Sequence, residues 1–263
     1  TGCIALSSAG LLITPAHSDT TATGSSTVAA TTATNPTNVK PREHHTYTAI
    51  YQAAYKGLPL QATHRLERAG SDWFFSSIAS GFFGQIEENA TFNYTNTGII
   101  PKHYSYLRSV LGHDKSYELI YNQDDKIVAG NNDENKWKVT LEGGELDQGT
   151  YALALRDDVA RGLQDMCYAV IDEDETDRNC FRVTGTETID TALGKIEAIV
   201  VERVRKANSP RRTRFWFAPS LDFSLARLEH QEKEQTAYSL EITYFREEPD
   251  SNMKKATKKA VTQ

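Results

Sequence analysis

Cation binding is the first chemistry the side chains raise. Asp172 to Asp177 reads DEDETD, and hard cations such as calcium are held by several carboxylate oxygens. The required positions are wrong, however. The sixth residue of such a loop must be glycine and here is Asp177; the twelfth must be glutamate and is Val183. A solvated hairpin turn accounts better for the run. His44 and His45 adjoin the start of the first strand, where a solvated pair is the simpler reading than a metal site. His103 and His113 flank a strand. Glu67 near His64 and Glu229 beside His230 are neighbours that strand alternation supplies everywhere. No G-x-S-x-G elbow, P-loop or H-E-x-x-H is present. Among 35 acidic residues nothing singles out a catalytic pair. The expectation is no catalytic residue, no metal and no cofactor.

The cysteines carry a sharper signal. Cys167 and Cys180 flank Tyr168 to Ile171, the acidic turn and Phe181 to Val183, and their midpoint falls between Glu173 and Asp174. A hairpin turning there sets the two face to face. In an oxidising compartment a disulfide follows, contributing roughly 3 kcal/mol by closing a short loop. Two unpaired buried thiols are the other reading. Arg211, Arg212 and Arg214 beside Phe215-Trp216-Phe217 look like a nucleic-acid surface. A net charge of −6 opposes that, since phosphates need a positive field. Arg212 and Arg214 read instead as the outward side of a strand, with Trp216 nearby.

The elements that would position these groups are overwhelmingly β. Tyr47, Ala49, Tyr51 and Ala53 alternate with Thr48, Ile50 and Gln52, and Gly57-Leu58-Pro59 marks a turn. Strand patterns continue over Ala62–Arg68, Trp73–Ile78, Phe82–Ile86, Ala90–Tyr94, Tyr104–Val110, Ser116–Asn122, Lys126–Ala129 and Lys136–Leu141. Short strands at even spacing suit a sandwich, barrel or wrapped sheet. One helix interrupts them. In Asp147 to Leu163, Tyr151, Leu155, Val159 and Leu163 recur every four residues on one face. Asp147 or Thr150 caps its start, Gly162 ends it, and its expected place is as a plug for the sheet.

Residues 1–18 carry no Lys, Arg, Asp or Glu and end in Pro15-Ala16-His17-Ser18, which resembles the apolar core and cleavage site of a truncated secretory signal. A lipid anchor at Cys3 is the weaker alternative, because the residues after it are apolar. Residues 19–44 are rich in Thr and Ala, a composition for a disordered linker. Residues 45–246 form the expected β-rich domain. Residues 247–263 form a basic tail bearing Lys254, Lys255, Lys258 and Lys259, read as a solvated end in preference to a contact with anionic lipid or polymer.

Family resemblance rests on the last third of the chain. Gly185 to Arg205, GTETIDTALGKIEAIVVERVR, and Arg212 to Glu232, RTRFWFAPSLDFSLARLEHQE, are its best segments. Pro101-Lys102-His103-Tyr104, Leu119 to Asp125 and Asp147 to Arg156 add to it. Together they resemble an exported bacterial family known as domain of unknown function 3108. Relatives commonly read aromatic-Leu-Pro-Val-Arg where this chain has Phe223-Ser224-Leu225-Ala226-Arg227. The resemblance implies an antiparallel sheet curled around a helix, and it implies no activity.

The fold expected is therefore mainly all-β: a curled, barrel-like antiparallel wrap with one packed helix. The function expected is that of a non-enzymatic, periplasmic envelope protein. It would bind an apolar or lipid-like ligand, or a partner polypeptide, on a concave aromatic surface using Tyr51, Trp73, Phe75, Phe83, Trp137 and Trp216. Nucleic acid is excluded as a partner, and membrane contact would be peripheral. A scaffold for envelope integrity without a small ligand is the alternative, and a hydrolase with an unmarked acid–base site a further one.

Overall fold

The structure is a computed structural model that describes residues 43–248 apart from Asp133. The expectations for the leader, nearly all of the linker, and the lysine-bearing tail lie outside the described residues. The described chain forms β1 (Thr46–Tyr55), β2 (Leu58–Ala69), β3 (Asp72–Gly81), β4 (Gly84–Thr95), β5 (Gly98–Val110), β6 (His113–Asn122), β7 (Ile127–Asn131) and β8 (Lys136–Thr140). Helix α1 (Gln148–Ala160) follows, then β9 (Asp165–Asp172), β10 (Glu175–Thr191), β11 (Gly194–Arg203), β12 (Arg211–Ala218), β13 (Ser224–Glu232) and β14 (Gln235–Glu248).

All fourteen strands belong to one antiparallel sheet. Two meanders, β1–β8 and β9–β14, are joined where β1 pairs with β14, so that Thr46 faces Glu248 and Tyr55 faces Tyr238. Pairing stops at β8 and β9, and the sheet curls without closing. The β9–β10 turn bridges the seam. Tyr117 donates to Asp172 Oδ1 at 2.7 Å, Trp137 Nε1 to the Glu173 carbonyl at 2.8 Å, and Lys115 pairs with Glu173. Leu146 covers part of the β9 edge through backbone bonds to Ala169 and Ile171. Bare edges invite pairing with other chains, and these contacts shield them.

Alternation decides what lies inside. Tyr47, Ala49, Tyr51 and Ala53 point to the core, as do Leu66, Trp73, Phe75, Ala90 and Phe92 on the next strands. Helix α1 runs through that core against β3, β4, β5 and β9. Asp147 is its N-cap, accepting from Thr150 N–H at 2.8 Å while Thr150 Oγ1 accepts from Asp147 N–H at 3.0 Å. That reciprocal pair satisfies orphan donors that burial would otherwise make costly.

Two local expectations are corrected. The helix does not carry Leu163 on a buried face: it ends at Ala160, Gly162 takes φ +82°, and Leu163 is 37% exposed. Because α1 is enclosed on several sides, Thr150, Asp157 and Asp158 are buried along with Leu153 and Leu155, and a one-face pattern does not describe it. Phe82–Ile86 is not a strand start either. Phe82 and Phe83 form the β3–β4 turn, closed by Gly84 at φ +147°, where a Cβ would lie 2.1 Å from the Ser109 carbonyl oxygen. Strand β13 forms from Ser224 onward with Leu225 at the position where the resemblance leads one to expect proline, and Ala226 is fully buried on its inner face. Cys167 and Cys180 are disulfide-bonded as register partners of β9 and β10, their Cα atoms 4.1 Å apart. So close an approach marks a pair not bonded through its backbone.

Candidate functional site

Aromatic side chains and α1 fill the barrel. Between helix and wall a cavity of about 40 Å³ remains, lined by Tyr47, Tyr51, His64, Phe75, Tyr151 and Arg156 among others. That is room for a water or two. His64 packs 4.6 Å from the Tyr51 ring and 5.6 Å from Phe75, and its Nε2 has no hydrogen-bond partner. Burial pulls its pKa down to about 4, so it is neutral at physiological pH. Arg156 ion-pairs with Asp222, donates from Nε to the Asp222 carbonyl at 3.0 Å, and lies 4.9 Å from the Tyr47 ring. The paired charge is held inside by these contacts rather than by solvent.

A much larger space lies outside. A cleft of about 880 Å³ opens at the end of the barrel where β1 begins and β14 finishes. Tyr47, Trp73, Phe74 and Tyr244 supply its apolar walls, and Arg65, Arg68 and Arg246 its cations. Trp73 is set edge-on to Tyr94 at 5.3 Å, with the Arg68 guanidinium 5.6 Å from its ring. The acids around the cleft are partly engaged. Asp72 accepts from Lys102 at 2.7 Å and Asn93 at 2.8 Å, bonds that hold its carboxyl below the usual range. Glu248 pairs with Arg246, while Arg65 is exposed on the outer face of β2. Glu67 also lines the cleft, so its three cations face three acids.

The six aromatics expected to share a surface are distributed. Tyr51 and Phe75 meet at the small inner cavity, and Trp73 forms part of the outer cleft. Phe83 sits on the β3–β4 turn. Trp137 lies on edge strand β8 over Gly130, where a Cβ would come 2.1 Å from its ring. Trp216 is on the outer face of β12, donating from Nε1 to Glu187 Oε2 at 2.8 Å. Arg214 and Arg227 lie 4.7 Å and 5.9 Å from its ring. Arg214 in turn pairs with Glu229 at 2.9 Å, and Arg227 with Glu241 at 2.5 Å. The motif residues Glu187, Arg214, Trp216 and Arg227 thus interlock with one another and hold three strands' outer faces together.

Glu88 escaped sequence reasoning. It occupies an inward position of β4 between Ile86 and Ala90, fully surrounded, with Oε1 accepting from Tyr104 at 2.8 Å and Oε2 without a partner. Burial lifts its pKa to about 8 and that of Asp147 to about 6. The available signal was its even spacing within the apolar row. Among the described residues no cluster of His, Cys, Asp and Glu is arranged to hold a metal ion.

A curled sheet of antiparallel strands wound around a single buried helix defines a barrel-like class. The structure of a β-barrel-like protein of domain of unknown function DUF1849 from Brucella abortus is similar in fold, with a TM-score of 0.51 and 9% identity. The match covers 78% of this chain and 98% of that one. The chain itself belongs to the family described as "Protein of unknown function (DUF3108)", whose model matches residues 50–243. No curated protein matches it.

Proposed function

We propose that this is an exported, non-enzymatic binding protein of the cell envelope. Its ligand is amphipathic: a lipid-like molecule, or an acidic segment of a partner polypeptide, lying in the cleft at the β1/β14 end. The cleft carries this reading. At about 880 Å³ it falls within the roughly 300–1,000 Å³ typical of ligand sites, whereas the inner pocket beside α1 offers about 40 Å³. The apolar part would rest on Trp73, Phe74 and Tyr244, and the acidic group would meet Arg65, which is exposed on the outer face of β2. A disulfide between Cys167 and Cys180 supports an oxidising compartment such as the periplasm.

Native mass spectrometry of protein extracted from the periplasm without detergent tests the reading. The expected result is a non-covalent mass that Arg65→Glu and Tyr244→Ala each reduce, with affinity lowered about tenfold or more. Recovery of apo protein alone, with no co-purifying polypeptide, would sink it. A second reading, a scaffold acting without a small ligand, is favoured by the filled interior, and that result would turn the argument toward it.

A further inference from the structure

Three neighbouring hairpins turn at the end of the barrel opposite the cleft: 55–58 between β1 and β2, 81–84 between β3 and β4, and 110–113 between β5 and β6. Leu111 N–H donates to the Phe83 carbonyl at 3.0 Å, tying two of the turns together, and the Leu60 side chain packs under Gly81. Leu58, Phe82, Phe83 and Leu111 sit at their tips, Phe82 at 95% and Leu111 at 70% exposure. Lys56 is the one charged side chain in those three turns. The turns at the other end of the same strands read Gly70-Ser71, Asn96-Thr97 and Gln123-Asp124-Asp125-Lys126, with no large apolar residue. Folding does not ask for this difference. Leu111 at φ +52° and Gly112 at φ +76° occupy the two left-handed positions of a tight hairpin, where Asn, Asp or Gly is favoured. A leucine there carries a conformational cost and leaves its apolar surface in water.

We propose that this tip is a membrane-docking element. Leu58, Phe82, Phe83 and Leu111 enter the boundary between headgroups and acyl chains of a phospholipid bilayer. A second copy of the chain fits less well. Four side chains on projecting turns supply only a fraction of the ~800 Å² per partner of a stable protein interface. Shallow insertion into a bilayer requires no complementary surface and gains from each apolar side chain separately. Charge adds nothing to the contact, since Glu232 and Glu234 of the adjoining β13–β14 turn offset Lys56 and Lys233 at the same end, and the apolar side chains carry it. The inference stands apart from the cleft, since the two lie at opposite ends and can be altered independently.

The test is flotation of the full chain with vesicles of phosphatidylethanolamine and phosphatidylglycerol, beside a Phe82→Ser/Leu111→Ser variant. Wild-type protein is expected to float, and the double variant to partition about a hundredfold more weakly, about tenfold for each side chain. Both chains keep the same lysine-rich tail, so the tail cannot produce the difference. Equal flotation of the two, or none by wild type, overturns the proposal. So does a wild-type dimer in sedimentation velocity that the variant loses, which would assign the tip to self-association. In Phe82→Trp, quenching of the added fluorescence by brominated acyl chains is expected, and unquenched emission on vesicles counts against insertion whatever the double variant does.

Discussion

Glu88 occupies a row where alternation calls for an apolar side chain, and the barrel accommodates it as the neutral acid. Its folded pKa of about 8 lies above the ordinary 4.5, so the folded protein keeps a proton that the unfolded chain releases. Stability is therefore full below about pH 4.5 and declines as pH rises toward about 8, on account of this group. Glu88→Gln should flatten that decline, read as urea midpoints near pH 5 and near pH 9 that differ less than in wild type. An unchanged pH profile would mean that the carboxyl is already solvated. Arg156 makes the complementary case. Arg156→Leu leaves Asp222 without its cation and should cost about 3–5 kcal/mol in denaturant unfolding, while adding Asp222→Asn should recover part of that. Additive losses in the double variant would rule out a coupled pair. Neither residue was legible beforehand. Sequence spacing marks which way a strand side chain points, and it says nothing of the partner that lets a charge stay inside.

At the level of elements, the β9–β10 hairpin and the seam it closes are the parts most open to test. The disulfide spans a separation of 13 residues, and its reduction should cost roughly 3 kcal/mol by the loop-entropy argument, measured as the difference in unfolding free energy with and without reductant. A midpoint insensitive to reductant would show that the register alone holds the hairpin. Gly130→Ala should displace Trp137 and weaken its bond to Glu173, seen as changed indole fluorescence and a lower thermal midpoint. Strand identities and the hairpin holding both cysteines were legible because a period of two, punctuated by turn residues, records which face is buried. Phe82 was misread for a physical reason. Aromatic residues favour strands chiefly because strands are half-buried surfaces, and an aromatic placed in a turn for exposure carries the same local signature. The helix was located correctly but given one buried face, since its neighbours on every side come from strands remote in sequence.

The whole molecule brings together residues that no local pattern relates. Trp73 and Tyr244 stand in one cleft because β1 pairs with both β2 and β14, and the sequence between them carries no mark of that meeting. The outer cleft and the apolar tip sit at opposite poles of the same barrel, so a molecule resting on a bilayer through Phe82 and Leu111 would turn its cleft away from the lipid. Arg65→Glu should then leave vesicle flotation unchanged while reducing the bound mass, a separation that flotation and mass spectrometry on the same variant would reveal. Loss of both together would join the two ends into a single site.

Thr46 Oγ1 donates to the Glu248 carbonyl across a gap of 202 residues, and the strand pair it belongs to joins the two meanders. A chain emerging amino-terminus first presents β1 long before β14 exists to meet it. One margin of β1 stays bare throughout that interval, and long-range β pairing of this kind is intrinsically slow. Completion of the barrel is therefore a post-emergence event, whichever machinery delivers the polypeptide. With the export proposed above, cells depleted of periplasmic holdases should accumulate this protein as proteolytic fragments ahead of proteins built from local hairpins alone.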